Sequence, residues 1–255
     1  MTEGLNARLK TALRQRADFS EILASSWTDL PAGGLAQRRV ELEHDGPIQL
    51  GELFDISGSP GGVMRFTGDL SQADRVGAGL SQGLVVVEGN VGNEAGVGMT
   101  GGALDITGNV GARAGAAASG FRRGMSGGEL IVRGSAGPDT GASMRRGLVV
   151  VGGQSGPRTG LGMIAGTIMI FGAAGADSGL WSKRGSIVAF GRILPPATYV
   201  YACTYQPVHL RLALIRLQTT YGMRVRKRQL QGLYRRYSGD LAELGKGEIL
   251  EWTAT

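Results

Sequence analysis

Few residues in this 255-residue chain have the types and spacing that covalent or metal chemistry requires. The soft ligands and nucleophiles amount to one cysteine, Cys203, and two histidines, His44 and His209. Cys203 and His209 lie close in sequence, but two ligands fall short of the four that hold a structural zinc. A single cysteine also excludes a disulfide framework or a C-x-x-C site. No Ser/His/Asp or Cys/His set can be assembled from this inventory. Gly96-Val97-Gly98-Met99-Thr100-Gly101 spells the dinucleotide fingerprint, yet no crossover helix follows it to receive a pyrophosphate. Gly245-Lys246-Gly247 resembles part of a phosphate loop, but Gly239 is one residue too far upstream and no Ser or Thr follows the lysine. The sequence therefore predicts no catalytic residue, no bound cofactor and no metal in this chain.

What remains is charge. Arg145-Arg146 precede Gly147 and Lys183-Arg184 precede Gly185, at the same phase of a glycine pattern described below, with Arg122-Arg123 a little upstream. Cations at one phase of a repeat line up on one corner. Two units apart at ~4.8 Å per unit, the pairs would stand roughly 10 Å from one another. Such a row suits an extended polyanion or an acidic partner surface.

The elements that position these residues are set by glycine. Gly83-Gly89-Gly92-Gly96 opens a template that recurs from Gly102, Gly128, Gly147 and Gly166, with Gly185-Gly191 as a last partial unit and Gly62-Gly68 as a looser first one. The period is 19 residues wherever nothing is inserted. Repeats of this length signify a stack of small identical units. Between the first two glycines of each unit the second and fourth residues are Met64/Phe66, Val85/Val87, Leu104/Ile106, Leu130/Val132, Val149/Val151, Ile168/Ile170 and Ile187/Ala189, all apolar. Alternation of this kind marks a strand with one buried face. Stacked in parallel, such strands predict an all-β main domain, a parallel β-helix of about seven coils. Period 19 and the scarcity of histidine exclude the hexapeptide-repeat acyltransferases. The near absence of carboxylates from the later units excludes carbohydrate-cleaving β-helices.

The outward strand positions change along the stack. Early units present Arg65, Thr67, Asp105, Thr107, Glu129 and Arg133, whereas later units present Leu148, Val150, Met169, Phe171, Val188 and Phe190. Six adjacent apolar side chains need a cover, either the chain's own C-terminus or another subunit, so they are a candidate partner interface. Pro195-Pro196 ends the repeats, and Leu210, Leu214, Leu217 and Tyr221 then form a helical stripe suited to that cover. At the other end, Leu5, Leu9 and Leu13 predict an amphipathic helix. The expected organisation is an N-terminal extension over 1–46, the glycine-repeat domain over 47–192, and a basic C-terminal extension with a helix over 193–255.

The formal net charge is +6, from 23 arginines and only four lysines against 21 acidic residues. The excess is local: residues 183–236 hold eleven cations and no Asp or Glu. A segment of that kind seeks anionic partners. Its tyrosines allow base stacking, but no nucleic-acid motif accompanies them, so nucleic acid is not an expected partner. No signal peptide and no apolar run of ~18 residues is present, which predicts a cytoplasmic protein without a membrane partner.

The glycine template resembles the C-terminal repeat domain of the large subunit of glutamate synthase, a non-catalytic right-handed β-helix. The tail Arg235-Arg236-Tyr237-Ser238-Gly239-Asp240-Leu241-Ala242-Glu243-Leu244-Gly245-Lys246-Gly247-Glu248-Ile249-Leu250, with the repeats before it, is similar to the third, glycine-repeat subunit of formylmethanofuran dehydrogenase and of its bacterial relative, the formyltransferase/hydrolase complex of methylotrophs. This resemblance spans roughly residues 47–255. It implies a scaffold joining the three other subunits of one complex. One of these partners resembles a metal-dependent amidohydrolase, and another is the formyltransferase of the bacterial complex. The remaining one is molybdopterin-type in the archaeal enzyme and cofactor-free in the bacterial one. The bacterial complex moves a formyl group from tetrahydromethanopterin to a methanofuran-type carrier and releases formate during formaldehyde oxidation. The arginine bias favours the bacterial version. The resemblance carries no catalytic residue over to this chain.

Overall fold

The computed structural model describes residues 4–23 and 27–253. The N-terminal part contains β1 (Leu5–Leu9), β2 (Ala17–Asp18), α1 (Ala32–Ala36), β3 (Arg39–Leu42), β4 (Gly46–Gln49), α2 (Leu50–Leu53) and β5 (Phe54–Gly58). The repeats supply β6 (Val63–Thr67), β7 (Ala73–Asp74), β8 (Leu84–Glu88), β9 (Thr100–Ile106), β10 (Gly127–Val132), β11 (Leu148–Val151), β12 (Thr167–Ile170) and β13 (Arg184–Ala189). The C-terminal part adds β14 (Val200–Tyr205), α3 (Val208–Tyr221), α4 (Lys227–Gln231), β15 (Tyr234–Gly239) and β16 (Lys246–Trp252).

Twelve strands form one sheet in the order β14-β15-β16-β13-β12-β11-β10-β9-β8-β6-β1-β5. From β6 to β13 every neighbour is parallel. Their register aligns Met64, Val85, Leu104, Leu130, Val149, Ile168 and Ile187 in one row, and Phe66, Val87, Ile106, Val132, Val151, Ile170 and Ala189 in the next. All fourteen are buried, as alternation predicts. A second parallel ladder of single bridges runs Leu70–Val91–Val110–Ala136–Ser155–Ala174, each member four residues after the second buried row of its own unit. The two ladders enclose the main core.

Glycine is demanded here by contact as well as by conformation. A Cβ on Gly156 would stand 2.5 Å from the Pro138 nitrogen and 2.6 Å from the Gly137 carbonyl carbon of the unit below. Gly160 instead needs its φ of +74°. The corners after these turns are filled by methionine: Met99, Met125, Met144 and Met163 are buried at successive units, and the flexible thioethers of Met125, Met144 and Met163 fill the irregular space beside the next strand's first glycine, Gly147, Gly166 and Gly185.

The N-terminus departs from expectation. Leu5–Leu9 is a strand, not a helix, inserted between β5 and β6. A spacing of four puts Leu5 and Leu9 on one side of a helix or of a strand alike. Ala7 decides it, because Leu5 and Ala7 fit under Met64 and Phe66 and extend the two buried rows by one strand. Beyond β1, the first unit is closed by Phe19, Phe54 and Phe66, packed edge to face with centroids 5.6–6.4 Å apart, together with Trp27, Leu35 and Leu50. A small sheet, β4-β3-β2-β7, flanks this lid.

At the far end the chain reverses. β16, the last strand, pairs in parallel with β13 and places Ile249 next to Ile187, so the tail continues the stack. β15 pairs antiparallel with β16 as a hairpin, and β14, separated from β15 by α3 and α4, pairs antiparallel with β15 at the sheet edge. Asp240, fully buried, fixes the turn between β15 and β16: its carboxylate accepts the Trp181 amide at 2.8 Å and the Ala242 amide at 2.9 Å.

Candidate functional site

The six apolar outward residues do not form a free interface. Val150, Met169, Val188 and Phe190 are buried in a second core with Ile131, completed by Leu210, Leu214, Leu217 and Tyr221 from α3 and by Met223, Val225, Tyr234 and Leu250. The chain's own C-terminus is the cover, which corrects the expectation that these four meet another subunit. Leu148 and Phe171 remain half-buried. The Phe171 ring stacks on Phe190 at 4.6 Å and lines a cavity of about 680 Å3 with Arg224, Arg226, Gln229 and Trp252.

Polar clips hold α3 in place. Arg133 makes a two-pronged contact with Asp105, at 2.9 and 2.7 Å, and donates to the Tyr221 carbonyl at 2.8 Å. Glu129 receives the Tyr221 hydroxyl and pairs with Arg216 at 2.8 Å. Burial, reinforced by the Glu129 carboxylate, pushes the Tyr221 phenol well above its ordinary pKa, so it stays a donor. Outward-facing polar residues of the early units thus anchor the helix that covers the apolar later ones.

The cationic corner has the predicted phase. The amides of Arg145 and Arg146 donate to the Met125 carbonyl at 2.8 and 3.2 Å, those of Ile164 and Ala165 to Met144 at 2.7 and 3.2 Å, and that of Lys183 to Met163 at 2.8 Å. Arg145-Arg146 and Lys183-Arg184 therefore occupy one corner with a neutral unit between them. Arg146, Lys183 and Arg184 are exposed, and Arg145 is half-buried. Among the described residues no carboxylate is within ion-pairing distance of any of the four. The register adds a member that sequence spacing missed: Lys246 lies beside Arg184 on β16. Only the return of the tail to the stack puts it there. Arg145 also borders a cavity of about 550 Å3 with Phe121 and Arg123 of the seven-residue insertion.

A second charged feature was not legible. Arg75, Glu94, Arg113, Asp139, Arg158 and Asp177 occupy one turn position in successive units, and all six have left-handed φ of 57–64°. Their charges alternate. Arg75 bonds Asp18 at 2.6 Å and Glu94 at 2.8 Å, Arg113 bonds Glu94 at 3.0 Å, and Arg158 grips Asp139 at 2.7 and 2.8 Å. Burial alone would raise the Glu94 pKa, but hydrogen bonds from Arg75 and Arg113 outweigh it and hold the carboxyl below its ordinary value. A cavity of about 530 Å3 lies over this ladder, and its principal charges are paired internally, Arg16 with Asp74 at 2.7 Å included. These ion pairs hold successive turns together.

His44, Cys203 and His209 fall on separate elements, and among the described residues no three His, Cys, Asp or Glu side chains are grouped to hold a metal. Gly96–Gly101 is a turn running into β9, and Gly245-Lys246-Gly247 a turn running into β16, so neither leads into a helix that could receive phosphate. No described helix is long and apolar enough to cross a membrane.

Fold and surfaces together define a glycine-repeat protein of stacked parallel strands with an exposed cationic corner. No protein-family model matches the chain, and no curated protein matches it. Among solved structures it is similar to a chain of the formyltransferase/hydrolase complex from Methylorubrum extorquens, crystallised with methylofuran. The TM-score is 0.77 and the identity 32%, over 98% of this chain and 100% of that one. At that identity over the full length of both, this chain belongs to the family of that complex's chain.

Proposed function

We propose that this chain is the third, glycine-repeat subunit of a formyltransferase/hydrolase complex. In this reading it is a non-catalytic scaffold that holds the amidohydrolase-like, cofactor-free and formyltransferase subunits together in the cytoplasm. The observation that carries the reading is the full-length match, at 32% identity, to a chain of that complex. The parallel ladders support a winding of about seven β-helical coils, right-handed in the resemblance noted above. The complex would transfer a formyl group from tetrahydromethanopterin to a furan-type carrier and release formate, with the metal held by the amidohydrolase-like partner.

Within that scaffold, Arg145, Arg146, Lys183 and Arg184 guide the polyanionic tail of the carrier or seat an acidic sister subunit. Their lack of carboxylate partners supports the assignment, and Lys246 joins them by register. Leu148 and Phe171, half-buried, are the members of the apolar set still open to a partner.

Native mass spectrometry of the chain purified from its own host tests the reading. Co-purification with amidohydrolase-like and formyltransferase-like chains is the expected result. A molybdopterin-type chain in their place would move the protein to a formylmethanofuran dehydrogenase. A stable lone chain would overturn the complex and leave a free-standing structural module.

A further inference from the structure

The helix that covers the second core is apolar on both sides. Its inner stripe, Leu210, Leu214, Leu217 and Tyr221, is buried against the sheet. Its outer stripe, Val208, Leu212 and Ile215, follows spacings of four and three residues and is 73%, 71% and 37% exposed. A helix packed once onto a sheet needs one apolar face, with polar residues opposite. Here nothing among the described residues covers the second one. The rim is cationic: Arg211 adjoins Leu212 and is exposed, Arg216 is 61% exposed while tied to Glu129, and no Asp or Glu occurs anywhere in residues 178–239.

We propose that the outer face of α3, centred on Leu212 and flanked by Val208 and Ile215, is a docking ridge for a sister subunit that presents an apolar groove with an acidic rim. This rests on the reading of the chain as a member of a complex. The occupant follows from chemistry: an apolar centre excludes a purely ionic partner, and a rim whose exposed Arg211 has no carboxylate within ion-pairing distance among the described residues, with Arg216 beyond it held by Glu129, selects an acidic over a basic neighbour. The site is distinct from the cationic corner, which lies where the strands begin, and from the second core, which α3 fills with its other side.

The test uses the complex assembled in its host, with Leu212→Glu in this chain and Leu214→Ala as the control that damages the inner stripe. Leu212→Glu should leave the melting temperature of the isolated chain unchanged while lowering recovery with the other subunits at least tenfold. Leu214→Ala should lower the melting temperature. Hydroxyl-radical labelling of Leu212 should fall several-fold from the isolated wild-type chain to the complex. Wild-type recovery of the Leu212→Glu complex, or equal labelling of Leu212 free and assembled, would overturn the ridge while leaving the complex intact. A homodimer dissociated by Leu212→Glu would also overturn it, by naming a second copy as the occupant. A wild-type chain recovered from its own host with no other subunit attached removes the complex reading, and the ridge with it.

Discussion

At the scale of single residues, the stack is governed by what the unit below leaves room for. Gly156 has backbone from the preceding unit in the space a Cβ would take, with the nearest atom at 2.5 Å. Gly156→Ala should therefore destabilise the chain by roughly 1–3 kcal/mol, as overpacking does, which differential scanning calorimetry would read as a lower Tm. Ser155, its neighbour, faces the other way. It occupies an apolar ladder between Ala136 and Ala174, and its buried hydroxyl has no hydrogen-bond partner. Removing such a group relieves a desolvation cost of ~1–3 kcal/mol, so Ser155→Ala should be neutral or stabilising by the same measurement. Glu94 gives the pH dependence. Its folded pKa lies below its unfolded one, so its stabilisation is present above the ordinary carboxylate value of ~4.3 and is lost as pH falls through the folded value. The Tm gap between wild type and Glu94→Gln should hold at neutral pH and shrink as pH drops below ~4.

At the scale of elements, α3 converts an aggregation-prone sheet face into a second core. Leu214 is fully buried at its centre, and Leu214→Ala should cost about 2–5 kcal/mol. Denaturant unfolding checks this, since the midpoint should fall more than it does for any single outer-stripe alanine. The inner stripe of α3 and the inward strand rows were readable because each repeats a period that only one element type satisfies. The strand β1 was not, since Leu5 and Leu9 fit either period and Ala7 is a weak marker of burial. Nor was the placement of β16, whose parallel pairing with β13 joins residues some 60 apart by a contact that spacing does not encode. The charge ladder escaped for another reason. Left-handed backbone is expected of glycine, whereas Arg75, Glu94 and Arg113 adopt it here with their side chains paired to the neighbouring unit. The outer strand positions were legible as apolar but not as covered, because burial by α3 depends on where the chain turns after Pro195-Pro196.

At the scale of the whole molecule, charge and apolar surface are segregated along the stack. Carboxylates of the early units are consumed inside the chain: Asp18 and Glu94 by Arg75, Asp105 by Arg133, Glu129 by Arg216. The C-terminal end keeps its cations unpaired at the corner formed by Arg146, Lys183, Arg184 and Lys246. Exposed like charges raise the free energy of the isolated chain and fall in cost when an anion arrives, so their effect belongs to association rather than folding. Charge reversal at Arg145, Arg146, Lys183 and Arg184 should thus leave the Tm of the isolated chain within about a degree or two, as surface changes of under ~0.5 kcal/mol do. It should instead slow binding of a polyglutamate peptide, or of an acidic sister chain, and flatten its dependence on salt. Because exposed charges are screened beyond ~8–10 Å at physiological ionic strength, wild type and variant should converge as salt is raised toward ~1 M. Stopped-flow association across a salt series measures this, and parallel salt slopes for the two proteins would remove the corner from the binding reaction.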